Sequence, residues 1–103
     1  MGATGNDNGL GSFYVFPRFR RDRWDTPLSQ VRQVKEEACE AIVEGIEDSA
    51  SDAFLDECID TMISAETLRR VCIEEFGLMR FLTRSKEVIE KNRERGYWDG
   101  ADD

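Results

Sequence analysis

The stretch from Phe54 to Ile73 constrains this chain more than any other. Phe54, Leu55, Cys58, Ile59, Met62, Ile63, Ala65, Leu68, Val71, Cys72 and Ile73 recur at spacings that fit a helix and cover most of its circumference. A helix that is apolar nearly all round belongs inside a bundle rather than on its surface. Glu57, Asp60, Ser64 and Thr67 form a narrow polar strip along it. An ionised carboxylate on such a helix needs a counter-charge or a metal. Two further helices from a short chain give incomplete cover, so the pattern predicts a homo-oligomer, a dimer or a higher assembly.

The neighbouring elements are set by local signals. Thr26 is a good N-cap, with Pro27 at the first helical position, and a helical stripe follows through Val31, Val34, Ala38, Ala41, Ile42 and Gly45. This first helix should end near Ile46 or Glu47. The polar break Asp48-Ser49-Ala50-Ser51-Asp52 follows, in which Ser49 or Ser51 can cap the next helix. That helix should run from about Asp52 to Glu75, and the short connection makes the two helices antiparallel neighbours. Gly77 ends it. A third helix is expected from about Leu78 to Arg95, with Phe81, Leu82, Val88 and Ile89 inward and Gly96 as its stop. No stretch reads as a strand. The expected class is all-α, an antiparallel helical bundle of about three main helices completed by oligomerisation.

A length of 103 residues suits one domain. Residues 1–17 read as a flexible N-terminal tail and arm, in which the apolar knot Phe13-Tyr14-Val15-Phe16-Pro17 can dock in extended form. Residues 18–97 read as the helical domain and 98–103 as an acidic C-terminal tail.

The chain carries 14 basic and 22 acidic residues, a net charge of −8. That argues against direct nucleic-acid binding, which draws its affinity from Lys and Arg on phosphates, and against an anionic membrane surface. No apolar run is long enough to span a bilayer. There is no His, which excludes Ser-His-Asp and Cys-His catalysis and imidazole metal ligation. Cys39, Cys58 and Cys72 are odd in number, widely spaced and without a CxxC, so they read as free thiols in a reducing cytoplasm.

The chemistry is concentrated in acids. Glu37 and Glu40, and then Glu57 and Asp60, stand three residues apart, the spacing that places two side chains on one helix face. If the break folds the helices together, four carboxylates converge. Carboxylates without imidazole are hard oxygen ligands that suit Mg²⁺, with Mn²⁺ as a substitute, and Mg²⁺ held this way usually serves a phosphate substrate. Two readings stand for Glu37, Glu40 and Glu44: an ordinary solvated face of a chain with 35% charged residues, or part of such a site. The Glu57 and Asp60 pair, on a helix with little polar arc, favours the site.

The pattern Glu36-Glu37-x-x-Glu40 followed by Glu57-x-x-Asp60 resembles the EExxE…ExxD signature of the all-α nucleoside triphosphate pyrophosphohydrolases, the MazG-like superfamily. Asn92-Arg93-Glu94-Arg95-Gly96-Tyr97 after a Lys is similar to the end of small, often phage-borne, MazG-like proteins, and Trp24 ahead of the first acidic helix is similar too. The resemblance spans about Trp24 to Tyr97. It implies a helical bundle completed by dimerisation or higher assembly. It also implies Mg²⁺-dependent cleavage of an NTP or dNTP to the monophosphate and pyrophosphate. Carried over, it makes Glu37, Glu40, Glu57 and Asp60 the metal ligands and Glu36 and Glu37 the catalytic carboxylates, with Glu36 either supporting a ligand or orienting the water. Lys86, Lys91, Asn92 and Arg95 become candidates for the substrate phosphates. Trp24 and Phe19 would either stack on a base or pack a dimer. The run Val34 to Glu40 also looks like phosphoribosyl-ATP pyrophosphohydrolase of the same superfamily, although the Arg-Gly-Tyr ending and the long arm fit that enzyme less well. The chain is short for the dimeric dUTPases. The rival from another class is a non-catalytic acidic helical interaction protein, either a degenerate relative or a phage inhibitor of a basic host surface.

Overall fold

The computed structural model describes residues 14–18 and 26–97. Three helices make up most of this: α1 (Pro27–Glu47), α2 (Asp52–Phe76) and α3 (Leu78–Glu94). No strand occurs among the described residues, so the all-α expectation holds. The expectations for residues 1–12 and 98–103, and for Phe19 and Trp24, lie outside the described residues.

Each helix end follows from a local chemical cause. At the start of α1, Thr26 Oγ1 accepts the Ser29 N–H at 3.1 Å and Ser29 Oγ accepts the Thr26 N–H at 2.9 Å. This reciprocal pair satisfies two donors that the first turn leaves orphaned, and Pro27 has no N–H to satisfy. Between α1 and α2, Asp48 Oδ1 accepts the Ala50 N–H at 3.0 Å and Ser51 Oγ accepts the Phe54 N–H at 3.0 Å. Ser51 is therefore the cap of α2. One residue separates α2 from α3: Gly77, at φ 89°, a left-handed conformation that a Cβ would disfavour. Gly96, at φ 75°, ends α3 with paired bonds, Gly96 N–H to Arg93 O at 2.9 Å and Tyr97 N–H to Asn92 O at 3.0 Å. These are the two bonds of a Schellman motif.

The chain divides into two compact units, residues 1–71 and residues 72–103, so the division falls within α2. In the first unit α1 packs on α2. Gln30 meets Ser64 and Gly45 meets Phe54, so advancing along α1 means retreating along α2, and the pair is antiparallel.

The layer between the two helices corrects the expected burial. Ser64, Thr67 and Arg70 of α2 are fully buried, as is Val71, and on α1 Gln30 and Ala41 are buried. Gln30 Nε2 donates to both the carbonyl and the hydroxyl of Ser64 at 3.1 Å, which satisfies polar atoms that burial would otherwise make costly. The polar strip of α2 thus faces inward. Part of its apolar arc faces out: Leu55 and Met62 are each 54% exposed. On α1 the expected inward residues Val31 and Ile42 are exposed, and only Ala41 of the stripe is fully buried.

The described part of the N-terminal arm docks on α2, as its apolar knot suggests. The Glu66 carboxylate accepts the backbone N–H groups of Val15 at 2.8 Å and Phe16 at 2.6 Å. Arg70 donates to the Phe16 carbonyl at 2.6 Å, and its guanidinium lies 4.1 Å from the centre of the buried Tyr14 ring.

The second unit holds the end of α2 and all of α3. Here too the expectation of an inward apolar row is corrected. Leu82, Val88 and Ile89 are exposed, Phe81 is half-buried, and α3 has no fully buried residue. The i,i+3 ion pairs Arg84–Glu87 and Arg93–Glu90 decorate α3 at exposed positions, where such pairs contribute little.

Candidate metal centre

The antiparallel pairing of α1 and α2 carries two carboxylates of α1 to one of α2. Glu37, Glu40 and Glu57 each place a carboxylate oxygen within 4.8 Å of the others. A cation with Mg–O bonds of about 2.1 Å spaces its octahedral oxygens roughly 3.0 Å apart along an edge and about 4.2 Å across. The observed spread needs only small side-chain adjustment to close on such an ion.

Glu37 is half-buried, and Gln33 Nε2 donates to its Oε2 at 2.8 Å, so one oxygen is oriented from one turn earlier on α1. Glu40 is exposed and forms the open side of the group. Glu57 is half-buried, and its Oε1 is shut off from solvent with no hydrogen-bond partner. A carboxylate oxygen in that position is costly unless a proton or a cation reaches it. Burial pushes the Glu57 carboxyl above its ordinary value, and the negative charges of Glu40, Asp60, Glu37 and Glu44 push it further the same way. The donor set fits a hard divalent cation: three oxygens, no imidazole or thiolate among them, and one oxygen already stripped of water.

The structure therefore joins three of the four carboxylates expected as ligands. Asp60, one turn beyond Glu57 and half-buried, has no oxygen in the triplet, although its charge is felt at Glu57. Glu36 also stands apart from the triplet. It is exposed and lies with Arg32, Lys35, Cys39 and Glu40 along a surface furrow. Sequence reasoning missed Gln33 as the residue that orients Glu37, and named Glu44 on the acidic flank without assigning its charge to Glu57. The i,i+4 spacings from Gln33 to Glu37 and from Glu40 to Glu44 were the available signal.

The residues expected at the phosphates lie in the second unit. Lys86 and Lys91 are exposed and five residues apart, about 140° around the helix. The Asn92 carbonyl is used in the α3 stop, and the Arg95 guanidinium sits 6.0 Å from the Tyr97 ring centre. They do not form one cationic face. The same unit contains a hollow of about 310 Å³ lined by Cys72, Phe76, Arg80, Phe81 and Arg84, with the Arg80 guanidinium 5.0 Å from the Phe76 ring centre. Burial pushes the Cys72 thiol up, toward its unreactive form.

No protein family, curated protein or solved structure matches this chain. Nor is any helix among the described residues long and apolar enough to cross a membrane.

Proposed function

We propose that the chain is a Mg²⁺-dependent nucleoside triphosphate pyrophosphohydrolase, the reading implied by its resemblance to the MazG-like superfamily. The observation that carries it is the buried, partnerless Glu57 Oε1 within a triplet of carboxylates drawn from two helices. Solvated surface acids do not need such a geometry. A divalent ion bound there would polarise the phosphate oxygens and lower the pKa of an attacking water. Glu37, Glu40 and Glu57 would hold the ion, and Gln33 fixes the Glu37 oxygen. The charges of Asp60 and Glu44, felt at Glu57, would favour a cation there. In this reading Glu36, which lines the same furrow as Glu40, would receive the proton of the water. The water oxygen bonds to phosphorus as the bridge between the α and β phosphates breaks, leaving the monophosphate and pyrophosphate.

The outward apolar residues support homo-oligomerisation as part of this proposal. Leu28, Val31, Ile42 and Ile46 follow one outward row of α1, with Ile46 80% exposed, and Leu55 and Met62 stand seven residues apart on α2. Rows at this spacing suit packing against further helices. Three free cysteines suit a reducing, cytoplasmic setting. The same outward rows favour a second reading, a non-catalytic helical module that binds a partner protein.

A panel of NTPs and dNTPs with Mg²⁺ separates the two. The enzyme reading expects pyrophosphate release that Glu57→Gln abolishes. No turnover of any nucleotide, together with a melting temperature indifferent to Mg²⁺ and Mn²⁺, would leave the interaction module.

A further inference from the structure

α1 carries only two cations, Arg32 and Lys35, and both line a furrow that Glu40 of the carboxylate triplet also lines. With Glu36, Cys39 and Glu40 they line an open furrow of about 490 Å³ on the first unit. Arg32, Glu36 and Glu40 follow one another at i, i+4 and i+8, so they form a single row on the helix. Glu40 belongs to both features, since one of its oxygens lies in the triplet and its side chain lines the furrow. The furrow therefore begins where the candidate metal position ends. Among the described residues neither the Arg32 nor the Lys35 side chain has a hydrogen-bond or ion-pair partner, although Arg32 and Glu36 have the spacing for one.

We propose that this furrow is the subsite for the polyphosphate chain of a nucleoside triphosphate, with Arg32 as its fork and Lys35 as its point charge. The inference rests on the metal-dependent reading above. Three carboxylates and one divalent cation leave a net negative charge, which repels a polyphosphate. Glu36 in the furrow adds one more negative charge, and the two adjoining cations offset both. Arg presents paired N–H donors that match phosphate oxygens, and Lys neutralises without fixing geometry. The role expected of Lys86, Lys91, Asn92 and Arg95 thus passes to Arg32 and Lys35, which share a unit and a furrow with a metal-ligand candidate.

The test uses the full chain and inorganic tripolyphosphate as the probe, titrated at saturating Mg²⁺ so that chelation by the probe is the same for every variant. Mn²⁺ binding is followed separately by electron paramagnetic resonance. The wild type should bind magnesium tripolyphosphate. The Arg32→Gln/Lys35→Gln double variant should lose roughly tenfold to a hundredfold in that affinity while keeping its Mn²⁺ binding. Arg32→Lys should recover only part of the loss, and Lys86→Gln/Lys91→Gln should change nothing. Equal tripolyphosphate affinity in the Arg32/Lys35 double variant, with Mn²⁺ still bound, overturns the subsite and leaves the metal centre standing. A loss seen instead in the Lys86/Lys91 variant returns the role to α3. A wild type that binds no Mn²⁺ removes both readings at once.

Discussion

Replacing Glu66 by Gln should unlatch the N-terminal arm and destabilise the fold by an amount that its contacts set. Glu66 is 13% exposed and takes two backbone N–H groups, Val15 at 2.8 Å and Phe16 at 2.6 Å. Gln has nearly the same shape, so no cavity opens. It offers one oxygen where two are needed and turns an NH₂ toward the remaining N–H. A hydrogen bond to a charged group contributes about 1.5–3 kcal/mol, and one of the two is lost outright. The change also removes the carboxylate 3.9 Å from the fully buried Arg70 guanidinium. Breaking a buried ion pair costs about 3–5 kcal/mol when nothing else compensates. Arg70 keeps the Phe16 carbonyl at 2.6 Å and the Tyr14 ring, and at 3.9 Å its contact with Glu66 is long, so this contribution is far smaller here and the lost hydrogen bond sets the total. A total of about 2–3 kcal/mol lowers the melting temperature of a domain this size by roughly 10–20 °C. Circular dichroism melts measure the shift, and amide hydrogen exchange at Val15 and Phe16 identifies its source. An unchanged melting temperature refutes the magnitude. A lowered one with both amides still protected refutes the mechanism.

Three other expectations concern the α1–α2 pair. Because the Glu57 carboxyl is pushed above its ordinary value, the folded metal-free protein holds its proton longer than the unfolded chain, so Glu57's contribution to stability is lost as pH rises through the window just above the ordinary carboxylate range. Glu57→Gln should flatten that part of a metal-free stability–pH profile, and Mn²⁺ affinity of the wild type should rise with pH across the same window; a Gln variant with an unaltered profile would count against it. Gly45→Ala should lower the melting temperature: the new Cβ would lie 2.8 Å from Phe54 Cε1, an overpacking cost of about 1–3 kcal/mol against a helix-propensity gain of about 1 kcal/mol, and a rise would mean that the ring swings aside at little cost. Thr26→Ala removes one half of the reciprocal cap and should cost about 1 kcal/mol in a denaturant titration, with no effect on Mn²⁺ binding.

The starts and stops of the helices were legible because their causes are local. Thr26 with Pro27, Gly77 and Gly96 act within a few residues of themselves, through a cap, a missing N–H or a positive φ, while the structure chose Ser51 over Ser49 as the cap of α2. The period of 3.6 also made the pairing of Glu37 with Glu40 readable, since both belong to one helix.

The phase of one helix against another is not local, and there the sequence by itself stopped. It marked Ser64 and Thr67 as a polar strip but could not say that Gln30 would meet that strip and make burial affordable. Once the polar strip turned inward, Leu55 and Met62 had to turn outward, because a rigid helix rotates all its side chains together. The same rotation decided the acids. It brought Glu57 to Glu37 and Glu40, left Asp60 acting only through its charge, and closed solvent away from a single oxygen of Glu57. Sequence determined that this chain makes helices and where its acids lie along them; tertiary packing alone selected which three acids share a point in space.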